Sequence, residues 1–242
     1  MELTKNKVLI TGGNKGIGLA LAKKFLTLGN QVIITGRNEK DLVNAKRDFP
    51  QLFTFKCDLA NQEGLDKLSL YIQNIHSDTN ILINNAGVQF NYMLMDEPQT
   101  LNKIEYEINI NLIAPLKLTT MLLPILDANK NAAIVNVSSA LAMVPKTTAP
   151  IYSASKSGIQ NFSIGLRQQL DKIKVFEIIP ALVDTEMTKG RGKGKMAPET
   201  LANEFIKAFE RNKYEVSIGK VKLLRLVNWI SPKLASRIIN GK

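Results

Sequence analysis

Seven short apolar runs punctuate the chain, at residues 8–11, 31–35, 52–57, 81–84, 132–138, 174–179 and 215–218. Between them lie longer stretches with apolar residues every three to four positions, for example 16–28, 62–76, 101–126, 153–171 and 198–212. Short continuous apolar runs fit strands buried on both faces, and the longer spacing fits amphipathic helices. Their alternation predicts an α/β domain: a parallel sheet with helices on both faces. Right-handed crossovers make that sheet doubly wound. Residues 1–218 form this single domain in our reading, and 219–242 a basic amphipathic tail.

In the tail, Val221, Leu223, Leu224, Leu226, Val227, Trp229 and Ile230 are interleaved with Lys220, Lys222 and Arg225. Beyond Pro232 the pattern continues through Leu234, Ile238 and Ile239 with Lys233 and Arg237. Such a stripe packs on its own domain or on a second subunit, and the same composition suits weak association with an anionic membrane surface. The segment 188–195 alternates Gly with Lys or Arg and has no means of building a core.

At 242 residues and 45% hydrophobic content, the chain is long enough for a sizeable core. The first strand begins within a few residues of Met1, which leaves no room for a signal peptide, and no continuous apolar run approaches bilayer length. A single cysteine, Cys57, fits a reducing cytoplasm, and its place at the end of a strand pattern fits a small core residue. The one histidine, His76, has no Cys or His partner in sequence; it reads as a solvated helix end, and no metal site is expected. The net charge is +11, and residues 187–242 hold thirteen Lys/Arg against four Asp/Glu. Such a field steers anionic ligands, a phosphorylated cofactor among them. Nucleic acid is not expected as a partner, and solvated surface charge is the plain alternative.

The chemistry concentrates at the ends of the apolar runs. Tyr152 and Lys156 stand four residues apart in a helical pattern, so both side chains share one face. An ammonium beside a phenol favours the phenolate; bringing a phenol from ~10 to neutrality takes about 4 kcal/mol of differential stabilisation. A phenol so tuned is a general acid or base for a carbonyl and its alcohol. Thr11-Gly12-Gly13-Asn14-Lys15-Gly16-Ile17-Gly18 follows the first strand and opens the first helix. Its glycines permit close approach of a pyrophosphate, and the helix N-terminus offers free N–H groups. Asn84-Asn85-Ala86-Gly87 closes the fourth run, Ser138-Ser139 the fifth, and Asn111 lies in the long helix between.

Together these motifs resemble the short-chain dehydrogenase/reductase family, over about residues 8–187. Residues 214–239 are similar to the DltE-like branch, named for D-alanyl transfer operons. The resemblance implies a Rossmann-type sheet of about seven strands in the order 3-2-1-4-5-6-7, homodimers or homotetramers, and NADP(H)- or NAD(H)-linked interconversion of a carbonyl and an alcohol. It implies a catalytic set of Asn111, Ser139, Tyr152 and Lys156. Tyr152 is the acid/base, Lys156 also holds the nicotinamide ribose, Ser139 binds the substrate oxygen, and Asn111 carries a water to Lys156. Strand alternation and family spacing favour Ser139 over Ser138, and spacing favours Asn111 over Asn109.

For the cofactor, the resemblance points to Gly12, Asn14, Lys15, Gly16, Ile17 and Gly18 in the turn. It adds Asp58 and Leu59 at the adenine, Asn85, Ala86 and Gly87 at the ribose, and Pro180, Val183 and Thr185 at the nicotinamide. Ala181 departs from the usual Gly. Where NAD-preferring relatives carry an acid, this chain has Gly36 followed by Arg37. With Lys15, that favours NADP(H) over NAD(H) through charge-assisted bonds to a 2′-phosphate. Residues 186–197 correspond to a flexible substrate lid. The substrate, a small carbonyl or alcohol, would be framed by 89–95, 141–148 and that lid. The second reading is a non-catalytic NADP-binding redox sensor or scaffold linked to cell-envelope D-alanylation.

Overall fold

Seven parallel strands form one sheet: β1 (Lys7–Ile10), β2 (Gln31–Gly36), β3 (Phe53–Lys56), β4 (Ile81–Asn84), β5 (Ala133–Val137), β6 (Lys174–Ile179) and β7 (Glu215–Ser217), in the order β3-β2-β1-β4-β5-β6-β7. The computed structural model describes residues 1–96, 98 and 100–241; Lys242, the end of the predicted tail, lies outside them. Side chains alternate between the faces along each strand. Val8, Ile10, Ile34 and Phe176 look into one core with α1 (Gly16–Thr27), α2 (Glu39–Asp48) and α7 (Pro198–Glu210). Leu9, Ile33, Leu82 and Ile134 look into the other, with α3 (Gln62–Ile75), α5 (Ala114–Ala128) and α6 (Pro150–Gln169). The doubly wound α/β fold of Rossmann type is as the sequence predicts.

Differences from expectation have local causes. The helical stretch 101–126 is three pieces: α4 (Thr100–Ile108), a π-helical turn (Asn109–Ile113) and α5. A π turn adds one residue to the i→i+4 ladder and commonly marks a functional site; here it contains Asn111. The whole helix, Thr100–Ala128, is long and apolar enough to cross a bilayer by length and composition, with a mean hydropathy of 1.4 over its most apolar 18 residues, although no single apolar run is. In this fold Leu118, Leu122 and Leu126 pack it on the sheet. α6 begins before its predicted start because Pro150 is tolerated in a first helical turn; Tyr152 thereby falls in that turn. His76 is buried rather than solvated: its Nε2 pairs with the Tyr71 hydroxyl at 3.0 Å, it meets the Phe53 ring edge-on, and burial lowers its pKa. The tail forms two helices, α8 (Val221–Ile230) and α9 (Pro232–Asn240).

Candidate active site

The carboxyl ends of β1, β2, β4, β5 and β6 open onto one cleft of about 620 Å³, where parallel α/β sheets place their ligands. Its outer end is built by the turn after β1. Gly12 adopts φ 63°, and a Cβ there would lie 3.0 Å from Ala86 Cα. At Gly18 a Cβ would sit 2.3 Å from the Gly12 carbonyl oxygen, so only glycine lets α1 close on the turn. The segment after β4 clamps the same turn. Asn85 Nδ2 donates to the carbonyls of Thr11 (2.9 Å) and Gly12 (3.1 Å), and Thr11 Oγ1 accepts from the amides of Asn85 and Ala86, both at 3.0 Å. Lys15 precedes α1 with no side-chain cap, and the first turn carries no acid. The N–H groups there are therefore available to an anion.

Gly12, Asn14, Lys15, Gly16, Ile17, Arg37, Asp58, Leu59, Asn85, Ala86, Gly87, Tyr152, Lys156, Pro180 and Thr185 all line the cleft. Gly18, Asn111, Ser139 and Val183 do not. Gly18 lies under the turn, and Val183 pairs with Met196 across the base of the 186–197 segment. Asn111 is buried behind Val88: its Oδ1 accepts from the Val88 amide and its Nδ2 donates to the Val88 carbonyl, both at 2.8 Å, with Ser155 Oγ at 3.2 Å. Gly36 packs directly under Asn14; a Cβ there would meet Asn14 Oδ1 at 2.8 Å. Asp41, which the sequence did not single out, also lines the cleft. It sits 4.0 Å from Lys15 Nζ and 3.4 Å from Asn14 Nδ2.

At the inner end, α6 carries Tyr152 and Lys156 on one face, both buried. Lys156 Nζ donates to the Val137 carbonyl at 2.8 Å and lies 5.7 Å from the centre of the Tyr152 ring. The two serines after β5 diverge. Ser138, which lines the cleft, donates from its Oγ to the buried Glu177 at 2.5 Å, whereas Ser139 Oγ accepts from the Leu141 amide at 3.1 Å and lies close enough to Tyr152 to lower the phenol's pKa. Gly87 faces the pair closely; a Cβ there would come 3.6 Å from Lys156 Nζ.

One electrostatic expectation is corrected. Burial pushes the Tyr152 phenol up to about 12; the Ser139 hydrogen bond opposes that, Glu107 adds to it, and Arg191 opposes it. Lys156 does not bring the phenol down, because the ammonium is itself desolvated: burial lowers Lys156 to about 8, with Glu107 opposing. Glu107 escaped sequence reasoning. It lies one helical turn before Asn111, is fully buried, accepts from the Phe90 amide at 3.2 Å, and has no partner for Oε2 among the described residues. Burial raises its carboxyl to about 7, against the Phe90 hydrogen bond, Lys156 and Arg191. The signal available was an acid on the apolar stripe of α4. Arg191, from the segment expected to be a lid, donates to the Gln89 carbonyl at 3.3 Å. The Tyr92 amide donates to the Thr148 carbonyl at 2.8 Å. These two bonds bring together the three segments expected to frame a substrate.

The family described as short chain dehydrogenase matches residues 6–195. The chain is 37% identical to the uncharacterized oxidoreductase DltE of Bacillus subtilis (strain 168), over 93% of this chain and 92% of that protein. Two solved structures share the fold. A short chain dehydrogenase from Burkholderia cenocepacia J2315 in complex with NADP superposes with a TM-score of 0.87 at 23% identity, covering 99% of each chain. A short chain dehydrogenase/reductase from Burkholderia phymatum in complex with NAD gives 0.85 at 19% identity, covering 95% of this chain and 96% of that one. The motif spacing, the strand order and these matches agree: the chain belongs to the short chain dehydrogenase family.

Proposed function

We propose that this chain is an NADP(H)-dependent oxidoreductase that interconverts a carbonyl and an alcohol, with Tyr152 as the proton donor and acceptor. The observation that carries the reading is the pair of Tyr152 and Lys156 at one end of a cleft whose other end is the glycine turn with Lys15 and Arg37, with Ser139 next to the phenol but outside the cleft lining. The residues fit a dinucleotide: an uncapped helix N-terminus for the pyrophosphate, two cations at the outer rim, and a buried ammonium at the inner end. When bound, the reduced nicotinamide supplies the hydride.

The chain supplies proton handling and orientation. A phenol near 12 is fully protonated at neutral pH, which suits it to donate to a carbonyl oxygen during reduction. Ser139, whose hydroxyl lies beside the same phenol, orients that oxygen. Lys156, charged below about 8, holds its ammonium at the inner end of the cleft, bonded to the Val137 carbonyl and 5.7 Å from the centre of the Tyr152 ring. Asn111 fixes Val88 and, through Ser155, braces the helix that carries the pair.

The preference for NADP(H) rests on this chain's own residues, since one structural neighbour holds NADP and the other NAD. Gly36 offers no carboxylate, and any acid there would collide with Asn14. Lys15 and Arg37 are exposed at the rim, and Asp41 partly offsets them. A cytoplasmic location and a homo-oligomer complete the proposal; fractionation and light scattering test these. For the activity, a panel of aldehydes and ketones is offered with NADPH and its consumption followed. Turnover of at least one supports the reading. Silence across the panel with NADPH still bound favours a sensor or scaffold instead.

A further inference from the structure

The tail helices have two faces, and only one of them has a partner among the described residues. Leu224 of α8 and Ala235 of α9 are buried and pack with Val144, Ala140 and Met143, and Val221 of α8 is buried as well. Asn240 fixes the end of α9: its Oδ1 accepts from the Thr147 amide (2.8 Å) and hydroxyl (2.9 Å), and its Nδ2 donates to the Pro145 carbonyl (3.2 Å). Packing on the domain is therefore complete on the inner face. The outer face presents Leu223, Leu226, Trp229, Ile230, Leu234 and Ile238, with exposures from 48% to 82%. Isolated exposed apolar residues are ordinary, whereas six on two adjoining helices mark an interaction surface.

Charge narrows the partner. Residues 219–242 contain six Lys/Arg and no Asp/Glu. Arg225 is committed to Glu215 at 3.0 Å. Lys220, Lys222, Lys233 and Arg237 are exposed and make no ion pair among the described residues. A second copy docking through the same face would bring these cations against themselves across a twofold axis, with no acid in the segment to answer them. An anionic lipid surface answers both features, apolar side chains entering the acyl boundary and cations meeting headgroups; Trp is well suited to that boundary.

We propose that the outer face of α8 and α9 docks on an anionic membrane surface. These helices rest on residues 140–147, which immediately follow Ser139, so docking would place the membrane on the side of the domain that carries this segment. The proposal does not depend on the reaction assigned above.

The test is sedimentation of the full chain with vesicles of phosphatidylglycerol and phosphatidylcholine, or of phosphatidylcholine alone. Two double variants accompany it, Leu226→Ser/Trp229→Ser and Lys222→Glu/Lys233→Glu, with light scattering of all three proteins and thermal melts to verify folding. All four substituted residues are exposed, so both variants should melt as the wild type does. Expected is binding to the anionic vesicles at least tenfold stronger than to the neutral ones, reduced tenfold or more in each variant and weakened by salt. Absence of binding to anionic vesicles overturns the proposal, as does binding that neither variant reduces. A wild-type oligomer that Leu226→Ser/Trp229→Ser converts to monomers would assign the face to a second copy instead.

Discussion

One added methyl group, placed at two different glycines, should act with opposite signs. At Gly18 the new Cβ would lie 2.3 Å from the Gly12 oxygen and 2.5 Å from Asn85 Nδ2. An ordinary carbon–oxygen contact needs ~3.3 Å, so α1 and the turn must part by roughly 1 Å. Neither neighbour yields easily, since Asn85 Nδ2 is bonded to both the Thr11 and Gly12 carbonyls. Overpacking of this kind costs ~1–3 kcal/mol, and breaking those two bonds instead costs about 1 kcal/mol each. Gly18→Ala should thus lose about 2 kcal/mol of stability. It should also bind NADPH ten- to a hundredfold more weakly, or ~1.4–2.8 kcal/mol, because the amides facing the phosphates move with the turn. Gly165, inside α6, has nothing within 4 Å of its added Cβ. There alanine should stabilise by ~0.5–1 kcal/mol through helix propensity and leave cofactor binding unchanged. Denaturant melts and calorimetric titration read both quantities. Wild-type NADPH affinity in Gly18→Ala would refute the assignment of the turn as the phosphate cradle.

Three further outcomes follow from the charges. Lys156, lowered to about 8, keeps its charge below that pH and loses it above. Turnover should therefore fall on the alkaline side near pH 8, and Glu107→Gln, which removes the carboxylate opposing that loss, should move the fall to lower pH; a pH–rate profile unchanged in the variant contradicts the coupling. The Glu107 carboxyl is raised to about 7. The stability it contributes is complete below its unfolded pKa of ~4.3 and is lost as pH rises through about 7, so Glu107→Gln should gain on the wild type in melting temperature between about pH 5 and pH 8. At the cofactor rim, Arg37→Asp should erase or reverse the preference for NADPH over NADH, while Asp41→Asn should enlarge it several-fold at low salt; equal affinities for the two cofactors in the wild type would remove the electrostatic basis of the preference.

The strands were legible because central strands of a parallel sheet are buried on both faces and read as unbroken apolar runs. α2 left little trace, with only Leu42 and Ala45 buried among its ten residues. The π turn was invisible because one extra residue barely disturbs the spacing of apolar positions around Asn111. Motif spacing gave most of the cleft lining, but charges brought in from elsewhere in the fold escaped it. Asp41 reaches Lys15 only because α2 folds back over the glycine turn, and Glu107 looks like a surface acid until its helix is packed. The direction of the Tyr152 shift failed for the same reason: the pair's proximity is written in a four-residue spacing, whereas its burial belongs to the folded chain.

The proton-transfer role of Tyr152 is tested most directly by steady-state turnover of Tyr152→Phe against the wild type on any carbonyl substrate the panel yields, with NADPH affinity measured on both proteins. The substitution keeps the buried ring and removes only the hydroxyl. Turnover should fall by a hundredfold or more, on the order expected for loss of a general acid, while NADPH affinity stays within about twofold. Turnover undiminished in a variant that folds and binds NADPH would contradict the proposed chemistry.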